Sequence, residues 1–238
     1  ADNNIIFIGP SPDSIYKMGN KIIARKIALA NNIPMTIGSE GKVPGEKEAL
    51  RVAAKIGYPV IIKAASGGGG RGMRIVRSEE DMPKMFRMAS SEADKTFSDH
   101  SVFIEKYIEN PKHIEFQILG DKKGNIIHLG ERECSVQRKH QKLLEEAPCI
   151  ALNDEQRKEM GEIAVKIAAA VGYFSAGTVE FLYDTSGEYY FMEMNTRIQV
   201  EHPVTELITG LDLIEEQIRI AEGKELRYRQ DEIKLKGW

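Results

Sequence analysis

The stretch YYFMEMNTRIQVEHPVTE, residues 189–206, alternates polar and apolar side chains over much of its length. Its polar members, spaced two apart, are Glu193, Asn195, Arg197, Gln199 and Glu201. In an extended segment successive side chains point to opposite faces, so these five would share one face. A half-exposed edge strand is the simpler interpretation, but a solvated face would carry Lys, Ser or Thr as often as these residues. Acid, amide and guanidinium groups in one row instead favour a site that holds a metal ion and an anion.

Composition excludes several classes of protein. At 238 residues the chain can bury a sizeable core, as one large domain or two small ones. The formal net charge of −3 argues against a nucleic-acid surface as the main function. Two cysteines, Cys134 and Cys149, are too few for a disulfide scaffold or a Cys-rich metal site. No apolar run has the length of a membrane span, and the first residues do not resemble a signal peptide. We therefore expect a cytoplasmic protein that contacts neither membrane nor nucleic acid.

Both ends of the chain interrupt predicted elements. NIIFIGP, residues 4–10, is typical of a strand that runs into a turn, and DEIKLKGW, residues 231–238, alternates like a strand. A chain that begins and ends inside elements is expected to be part of a larger protein, truncated at both ends.

Hydrophobic periodicity predicts an α+β fold. Helices are predicted over 14–32, 46–57 (ended by Gly57), 78 to about 96, 153–172 and 211–222, with capping boxes at Ser78 with Asp81 and at Asn153 with Gln156. Strands are predicted over 58–65, 74–78, 101–108, 113–121 and 124–133, and a hairpin over 177–195. Strands lie next to strands with helices between the groups, which indicates antiparallel sheets. A small subdomain over 35–108 is predicted to follow a leading segment, 1–34, and to precede a larger remainder, 109–238.

The segment KAASGGGGRGM, residues 63–73, joins two of these strands. Glycines allow backbone N–H groups to approach an anion closely, as a phosphate cradle requires, although a flexible turn explains the glycine run equally well. There is no GK[ST] and no G-x-G-x-x-G that opens a helix, so neither a Walker loop nor a dinucleotide fold is indicated. We interpret the segment as a lid over nucleotide phosphates, to which Lys63 adds a positive charge.

The predicted hairpin carries two glutamates. If its loop at DTSG, 184–187, has an even number of residues, paired positions sum to 371, Glu180 faces Phe191, and Glu193 is its diagonal neighbour on the same face. A loop with an odd number of residues would place the two glutamates on opposite faces. Together with Asn195 they form an oxygen-rich set suited to Mg²⁺ or Mn²⁺ beside phosphates. No Cys/His cluster in the sequence suggests zinc.

Four motifs carry a resemblance to a known family. GGGGRGM, EKYIENPKHIEFQ, ERECSVQRKHQKLLEEAP and EMNTRIQVEHPVTE resemble, in consistent order, the biotin carboxylase family of the ATP-grasp superfamily. Members of this family are components of acetyl-CoA, propionyl-CoA and pyruvate carboxylases. The resemblance implies an ATP-grasp fold in which 35–108 is the lid subdomain and 109–238 the core. It also implies ATP-dependent carboxylation of biotin by bicarbonate through carboxyphosphate, with Mg²⁺ or Mn²⁺.

The same resemblance implies roles for individual residues. The nucleotide would contact Lys21, Lys63, Gly69, Gly70, Glu105, Lys106, Tyr107, Ile108, His113, Gln137 and His140. The metal would bind Glu180, Glu193 and Asn195, and bicarbonate would bind Lys142, Arg197, Gln199 and Val200. Glu201 would be the general base, with Arg197 and Lys142 as the other catalytic residues. Taken alone, the histidines and the segment QRKHQK would more often be ordinary solvated residues.

The resemblance also implies partners: a biotin carboxyl carrier protein or domain, a carboxyltransferase and a homo-oligomeric parent enzyme, in the mitochondrial matrix if that parent is eukaryotic. The family's N-terminal domain and biotin-positioning segment have no counterpart here, so an isolated chain is expected to be inactive or weakly active. Two alternatives remain: another ATP-grasp carboxylate–amine ligase, and a non-catalytic ATP-binding fragment. The intact EMNTRIQVEH favours the carboxylase over the ligase.

Overall fold

The computed structural model describes residues 5–65 and 72–237. Its strands are β1 (Val60–Ala64), β2 (Arg74–Val76), β3 (Val102–Lys106), β4 (Lys112–Gly120), β5 (Ile126–Arg138), β6 (Gln141–Glu146), β7 (Ser175–Tyr183) and β8 (Tyr189–Asn195). Its helices are α1 (Pro12–Gly19), α2 (Lys21–Ala30), α3 (Glu46–Ile56), α4 (Met82–Phe97), α5 (Asp154–Ala170), α6 (His202–Thr209) and α7 (Leu213–Ala221), with a 3₁₀ turn at Gln230–Glu232. Among the described residues, no helix has both the length and the apolar composition to cross a membrane.

The first sheet has three antiparallel strands in the order β2-β1-β3. Its core contains Val60, Ile62 and Ile104 together with alanines of α3 and α4, and all its buried members lie between residues 43 and 104. Small residues on the helices allow them to approach the sheet closely. Gly57 ends α3 with φ of 84°, a conformation that glycine adopts at little cost.

The second sheet has five antiparallel strands in the order β6-β5-β4-β7-β8. One face packs on α5 and the two N-terminal helices, with Ile114, Phe116 and Phe181 in the core. On the opposite face, Leu119 and Leu129 pack on Leu213 of α7. The α+β fold with antiparallel sheets is therefore confirmed. Asn153 and Gln156 form the predicted capping box at the start of α5.

The predicted helix over 14–32 is two helices. Asn20, with φ of −98° and ψ of 109°, leaves the helical conformation, and its side chain accepts hydrogen bonds from the backbone of Ile22 and Ile23. The asparagine therefore ends α1 and caps α2. Periodicity missed the break because apolar residues continue across it. The capping box predicted at Ser78 is also wrong, because α4 begins at Met82 and Ser78 contacts only the side chain of Asp81.

Four more segments differ from their predictions. Residues 5–8 and 233–237 form no strand, because within 5–65 and 72–237 neither segment has a neighbouring strand to pair with. The basic segment QRKHQK turns β5 into β6, a strand that the sequence did not predict. Residues 202–209 form α6, also unpredicted.

Candidate active site

A cavity of about 880 Å³ lies between the two sheets. Seventeen of the residues predicted for the site line it: Lys21, Lys63, Glu105, Lys106, Tyr107, Ile108, His113, Gln137, His140, Lys142, Glu180, Glu193, Asn195, Arg197, Gln199, Val200 and Glu201. The other two, Gly69 and Gly70, lie outside the described residues. Groups that are up to 180 residues apart in the chain thus share one cavity.

At the first sheet, the side chain of Glu105 is held by two cations. Oε1 accepts from Arg25 Nη1 at 2.5 Å, and Oε2 accepts from Lys63 Nζ at 2.6 Å. The other guanidinium nitrogen of Arg25 donates to Thr36 O. Burial alone would raise the pKa of Glu105, but Lys63 and Arg25 hold it below its ordinary value. The carboxylate therefore fixes the position of Lys63 at the cavity wall.

The segment at the end of β3, residues 105–108, which is predicted to contact the nucleotide, is partly hydrogen-bonded within the protein itself. The N–H of Lys106 donates to Ile37 O and that of Tyr107 donates to Pro59 O. The Lys106 ammonium donates to the carbonyls of Gly57 and Tyr58. These three donors are therefore not free for a ligand in this conformation.

At the second sheet, Lys142 is surrounded by carboxylates. Its Nζ atom donates to Glu115 Oε2, lies 3.0 Å from Glu180 Oε1 and lies 2.7 Å from Glu201 Oε1. Burial would lower the pKa of this ammonium, but the carboxylates raise it above its ordinary value. Burial would raise the pKa of Glu201, but the hydrogen bond from Lys142 lowers it. Glu201 is therefore ionised at neutral pH and able to accept a proton.

Glu180 and Glu193 are paired directly across the hairpin, but not in the predicted register. The loop has five residues, 184–188, and Phe181 pairs with Phe191, so positions near the loop sum to 372 and not to 371. A bulge at Met192 then shifts the ladder, and Glu180 faces Glu193. The odd loop would have separated the two glutamates; the extra residue returns them to one face.

The side-chain oxygen atoms of Glu180, Glu193 and Asn195 form a candidate metal site. Glu180 Oε1 accepts from Asn195 Nδ2 at 2.8 Å, and Glu193 Oε2 lies 3.2 Å from Lys21 Nζ. Burial would raise the pKa of Glu180, but His113 and Lys142 hold it below its ordinary value. Glu180 thus remains ionised, as a carboxylate that binds a metal must be.

His113 also faces the residues predicted to bind a metal, although the sequence suggested no histidine cluster. Its Nε2 atom lies 2.9 Å from Glu180 Oε2, and its imidazole, Glu115 and Glu180 bring ligand atoms within 4.8 Å of one another. Gln137 Nε2 lies 2.9 Å from the other ring nitrogen. His113, Gln137 and Glu180 therefore form one connected wall of the cavity.

The polar row that follows β8 is not one extended segment. The strand ends at Asn195, the chain bends at Arg197, and Glu201 is the N-cap residue of α6. Pro203 in the first turn favours the helix over continued extension. Gln199 is buried and donates from Nε2 to Glu180 Oε1 at 3.1 Å, whereas Val200 is 91% exposed. The predicted alternation fails after Asn195, yet these residues still line the cavity.

The charged residues of this region that were not predicted include Arg25, Glu115 and Arg132. Glu115 lies on β4 between its direct partners Arg132 on β5 and Glu180 on β7. A signal was present, because His113, Glu115 and Gln117 alternate with Ile114, Phe116 and Ile118 in a strand buried on both faces.

The sequence of this chain is similar to a known family model and to curated proteins over most or all of its length. The family model described as "Carbamoyl-phosphate synthase L chain, ATP binding domain" matches residues 20–229. A biotin carboxylase from a Nostoc species is 57% identical over 237 residues, which are 100% of this chain and 53% of that protein. The mitochondrial propionyl-CoA carboxylase alpha chain of Homo sapiens is 53% identical over 238 residues, which are 100% of this chain and 33% of that protein.

Solved structures show the same fold. A biotin carboxylase complex with β,γ-ATP from Campylobacter jejuni superposes with a TM-score of 0.96 at 50% identity, over 98% of this chain and 52% of that one. The biotin carboxylase domain of the Hydrogenobacter thermophilus 2-oxoglutarate carboxylase, solved with MgADP, ADP and bicarbonate, has a TM-score of 0.95 at 53% identity, over 98% of this chain and 52% of that one. The chain spans about half the length of the first of these curated relatives.

Proposed function

Because the chain belongs to the family of the carbamoyl-phosphate synthase L chain ATP-binding domain, we propose that its cavity binds ATP and transfers the γ-phosphoryl group to bicarbonate. Its similarity to biotin carboxylases extends the proposal to ATP-dependent carboxylation of biotin. The observation that carries it is the position of Lys142, whose ammonium lies between Glu180 of the metal set and Glu201, the candidate base.

The nucleotide would lie along the wall made by the first sheet. Lys63 and Lys21 present ammonium groups to the cavity and offer point charges to the phosphates. Each is now paired with a carboxylate, Lys63 with Glu105 and Lys21 with Glu193. The carboxylate partners hold both cations at the cavity, Lys63 at the first sheet and Lys21 beside β8, before a nucleotide arrives, which limits the ordering cost of binding.

A divalent cation fits the second sheet. Glu180, Glu193 and Asn195 offer carboxylate and amide oxygens from neighbouring strands, the donor set that Mg²⁺ and Mn²⁺ prefer. Lys142 Nζ lies 3.0 Å from Glu180 Oε1, and Lys21 Nζ lies 3.2 Å from Glu193 Oε2. Each carboxylate is therefore already next to a positive charge. When bound, the metal would neutralise charge on the transferring phosphoryl group.

Bicarbonate would lie between the metal set and Glu201. Arg197 is exposed to the cavity, and its planar guanidinium matches the two oxygens of a carbonate group. Lys142 and Gln199 would contact the same anion. One bicarbonate oxygen attacks the γ-phosphorus, the bond to the β-phosphate oxygen breaks, ADP leaves, and the bicarbonate proton passes to Glu201. The product is carboxyphosphate.

Carboxyphosphate would then decompose into CO₂ and phosphate, and biotin on a carrier protein or domain would accept the CO₂ as its ureido nitrogen loses a proton to phosphate. We propose a carboxyltransferase as the second partner and a homo-oligomer as the parent enzyme. Residues 35–108 would form the lid subdomain, and residues 109–238 would form the core. The compartment would be the cytoplasm, or the mitochondrial matrix in a eukaryote.

Oxygen-isotope transfer tests this proposal. The full-length protein is incubated with ATP, Mg²⁺, biotin and ¹⁸O-labelled bicarbonate, and the released phosphate is analysed by mass spectrometry. Attack by bicarbonate predicts one ¹⁸O atom in each phosphate. Phosphate that takes its new oxygen only from water would contradict the proposal, because ATP would then be hydrolysed without carboxyphosphate. Omission of bicarbonate is the matched control and should abolish most ATP cleavage.

A further inference from the structure

Arg132 is a fully buried arginine that does not itself line the cavity. Its guanidinium donates to five side-chain acceptors on four different parts of the chain: Glu115 Oε1 at 2.7 Å, Gln117 Oε1 at 2.8 Å, Thr205 Oγ1 at 2.7 Å, Gln199 Oε1 at 3.1 Å and Thr178 Oγ1 at 3.4 Å. A buried charge is costly unless it is paired and fully hydrogen-bonded, and here it is both.

Two of these acceptors connect Arg132 to the cavity. Gln199 accepts from Arg132 through Oε1, so its Nε2 is left to donate to Glu180 at 3.1 Å. Arg132 therefore determines which way the Gln199 amide faces. Glu115 accepts from Arg132 through Oε1, so its Oε2 is left for Lys142. Arg132 therefore fixes two groups that are predicted to bind bicarbonate: Gln199 directly, and Lys142 through Glu115.

We propose that Arg132 is a positioning residue for the bicarbonate half of the site, which it organises by fixing the Gln199 amide and, through Glu115, the Lys142 ammonium. The inference rests on the proposed function. Arg132 touches neither bicarbonate nor nucleotide in this account, so it is not a catalytic residue.

The chemistry of arginine suits this task. The planar guanidinium offers five N–H donors in a fixed fork, which can serve acceptors on β4, β7, α6 and the bend after β8 together. A lysine at this position offers three donors around one nitrogen, so it cannot reach Glu115 and Gln199 while also serving the two threonines. Arg132→Lys therefore keeps the charge and loses the fork.

Arg157 provides a matched control. Its guanidinium donates from Nε to the fully buried carboxylate of Glu131, which is next to Arg132 on β5, and to the carbonyls of Cys149 and Leu152. This pair lies away from the cavity. Arg157→Lys removes a comparable set of hydrogen bonds from a buried glutamate without changing a group predicted to bind substrate.

The experiment measures bicarbonate-dependent ATP cleavage by the full-length protein. Arg132→Lys should raise KM for bicarbonate roughly 10-fold or more while KM for ATP changes less than about 3-fold, since only the bicarbonate contacts are displaced. Arg157→Lys should change neither KM. In a Gln199→Ala background, the effect of Arg132→Lys on KM for bicarbonate should be smaller than in the wild-type background, because only the route through Glu115 and Lys142 remains. Equal changes in both KM values, or an Arg132→Lys protein that behaves like Arg157→Lys, would overturn the inference.

Two further measurements keep the test decisive. If Arg132→Lys does not fold, the near-isosteric Thr205→Val removes one acceptor of the guanidinium, and a rise confined to KM for bicarbonate is expected; no rise would overturn the inference.

If the wild-type protein shows no bicarbonate-dependent ATP cleavage, the proposed function fails, but a crystal structure of Arg132→Lys still tests positioning. Displacement of the Gln199 amide or the Lys142 ammonium supports it, and unchanged positions of both contradict it.

Discussion

Lys63 and Glu105 form an ion pair at 2.6 Å across β1 and β3, on the wall of the cavity that faces the predicted nucleotide. Arg25 holds the second oxygen of the same carboxylate. At the second sheet the arrangement recurs, because Glu115 accepts from buried Arg132 and from Lys142 at the cavity wall. In both places a buried arginine fixes a glutamate, and the glutamate fixes a lysine that faces the cavity.

Glu105→Gln should strongly destabilise the protein, because it leaves Arg25 and Lys63 without their buried anion. Removal of one partner from a buried ion pair costs about 3–5 kcal/mol, and urea unfolding at pH 7 measures it. Glu48→Gln is the control, since Glu48 pairs with Arg51 at the exposed surface, and no measurable change is expected.

The same variant predicts a pH dependence. The pKa of Glu105 is lower in the folded protein than in the unfolded chain, where it is about 4.3. The stabilisation from its charge is therefore complete above that pH and is lost as the pH falls towards the folded pKa. The difference in free energy of unfolding between wild type and Glu105→Gln should be constant from pH 8 to 5 and shrink below pH about 4.3. A difference that does not shrink in acid would show that Glu105 is not stabilised as an anion.

Gly38→Ala should disturb the ion pairs of Glu105. A Cβ atom at Gly38 would lie 2.8 Å from Ile104 O, 2.9 Å from Arg25 Nη2 and 3.0 Å from Glu105 Cγ. We expect a loss of about 1–3 kcal/mol in the free energy of unfolding from overpacking, together with weaker ATP binding in calorimetry. Gly41→Ala, in the same loop, places its Cβ in open space and should change neither quantity. Equal behaviour of the two variants would contradict the proposed close packing around Arg25.

Glu193→Gln should abolish the increase in ATP affinity that Mg²⁺ produces. The carboxylate of Glu193 faces Glu180 and contacts Lys21, so its loss removes a proposed metal ligand and releases a lysine proposed to bind phosphate. Calorimetric titration of ATP with and without Mg²⁺ measures the difference. Glu188→Gln, in the loop of the same hairpin, is the control and should retain the Mg²⁺ effect. An unchanged effect of Mg²⁺ in Glu193→Gln would show that the metal binds elsewhere.

Local signals in the sequence identified most elements and the groups that line the cavity. The Asn153 capping box and the glycine that ends α3 were predictable because their partners lie within a few residues. The register of the β7–β8 hairpin was not, because a loop of five residues and a bulge at Met192 compensate for each other. Phe191 and Met194, three residues apart and both in the core, are the trace of that bulge in the sequence.

The arginine–glutamate–lysine arrangements depend on contacts between distant parts of the chain. Arg25 and Glu105 are 80 residues apart, and Arg132 and Thr205 are 73 residues apart. No spacing rule links such positions, and only the packing of the sheets brings them together. A single arginine in a strand pattern is usually a solvated residue, so the pattern around Arg132 does not predict that this residue is buried.

The proposed reaction depends most directly on whether Glu201 accepts the proton of bicarbonate. Glu201 Oε1 lies 2.7 Å from Lys142 Nζ, beside the groups predicted to bind the anion and away from the wall of the first sheet. Glu206→Gln, on the same helix but outside the cavity, is the control and should leave both ATP affinity and turnover close to those of the wild type.

The measurement compares ATP affinity with bicarbonate-dependent ATP cleavage in the full-length Glu201→Gln protein. The near-isosteric amide preserves packing but cannot accept the proton, so we predict ATP affinity within about 3-fold of wild type and a fall in cleavage of about 100-fold or more. Near-normal bicarbonate-dependent turnover, or a loss explained entirely by weaker ATP binding, would contradict the account and leave Glu201 as a structural partner of Lys142.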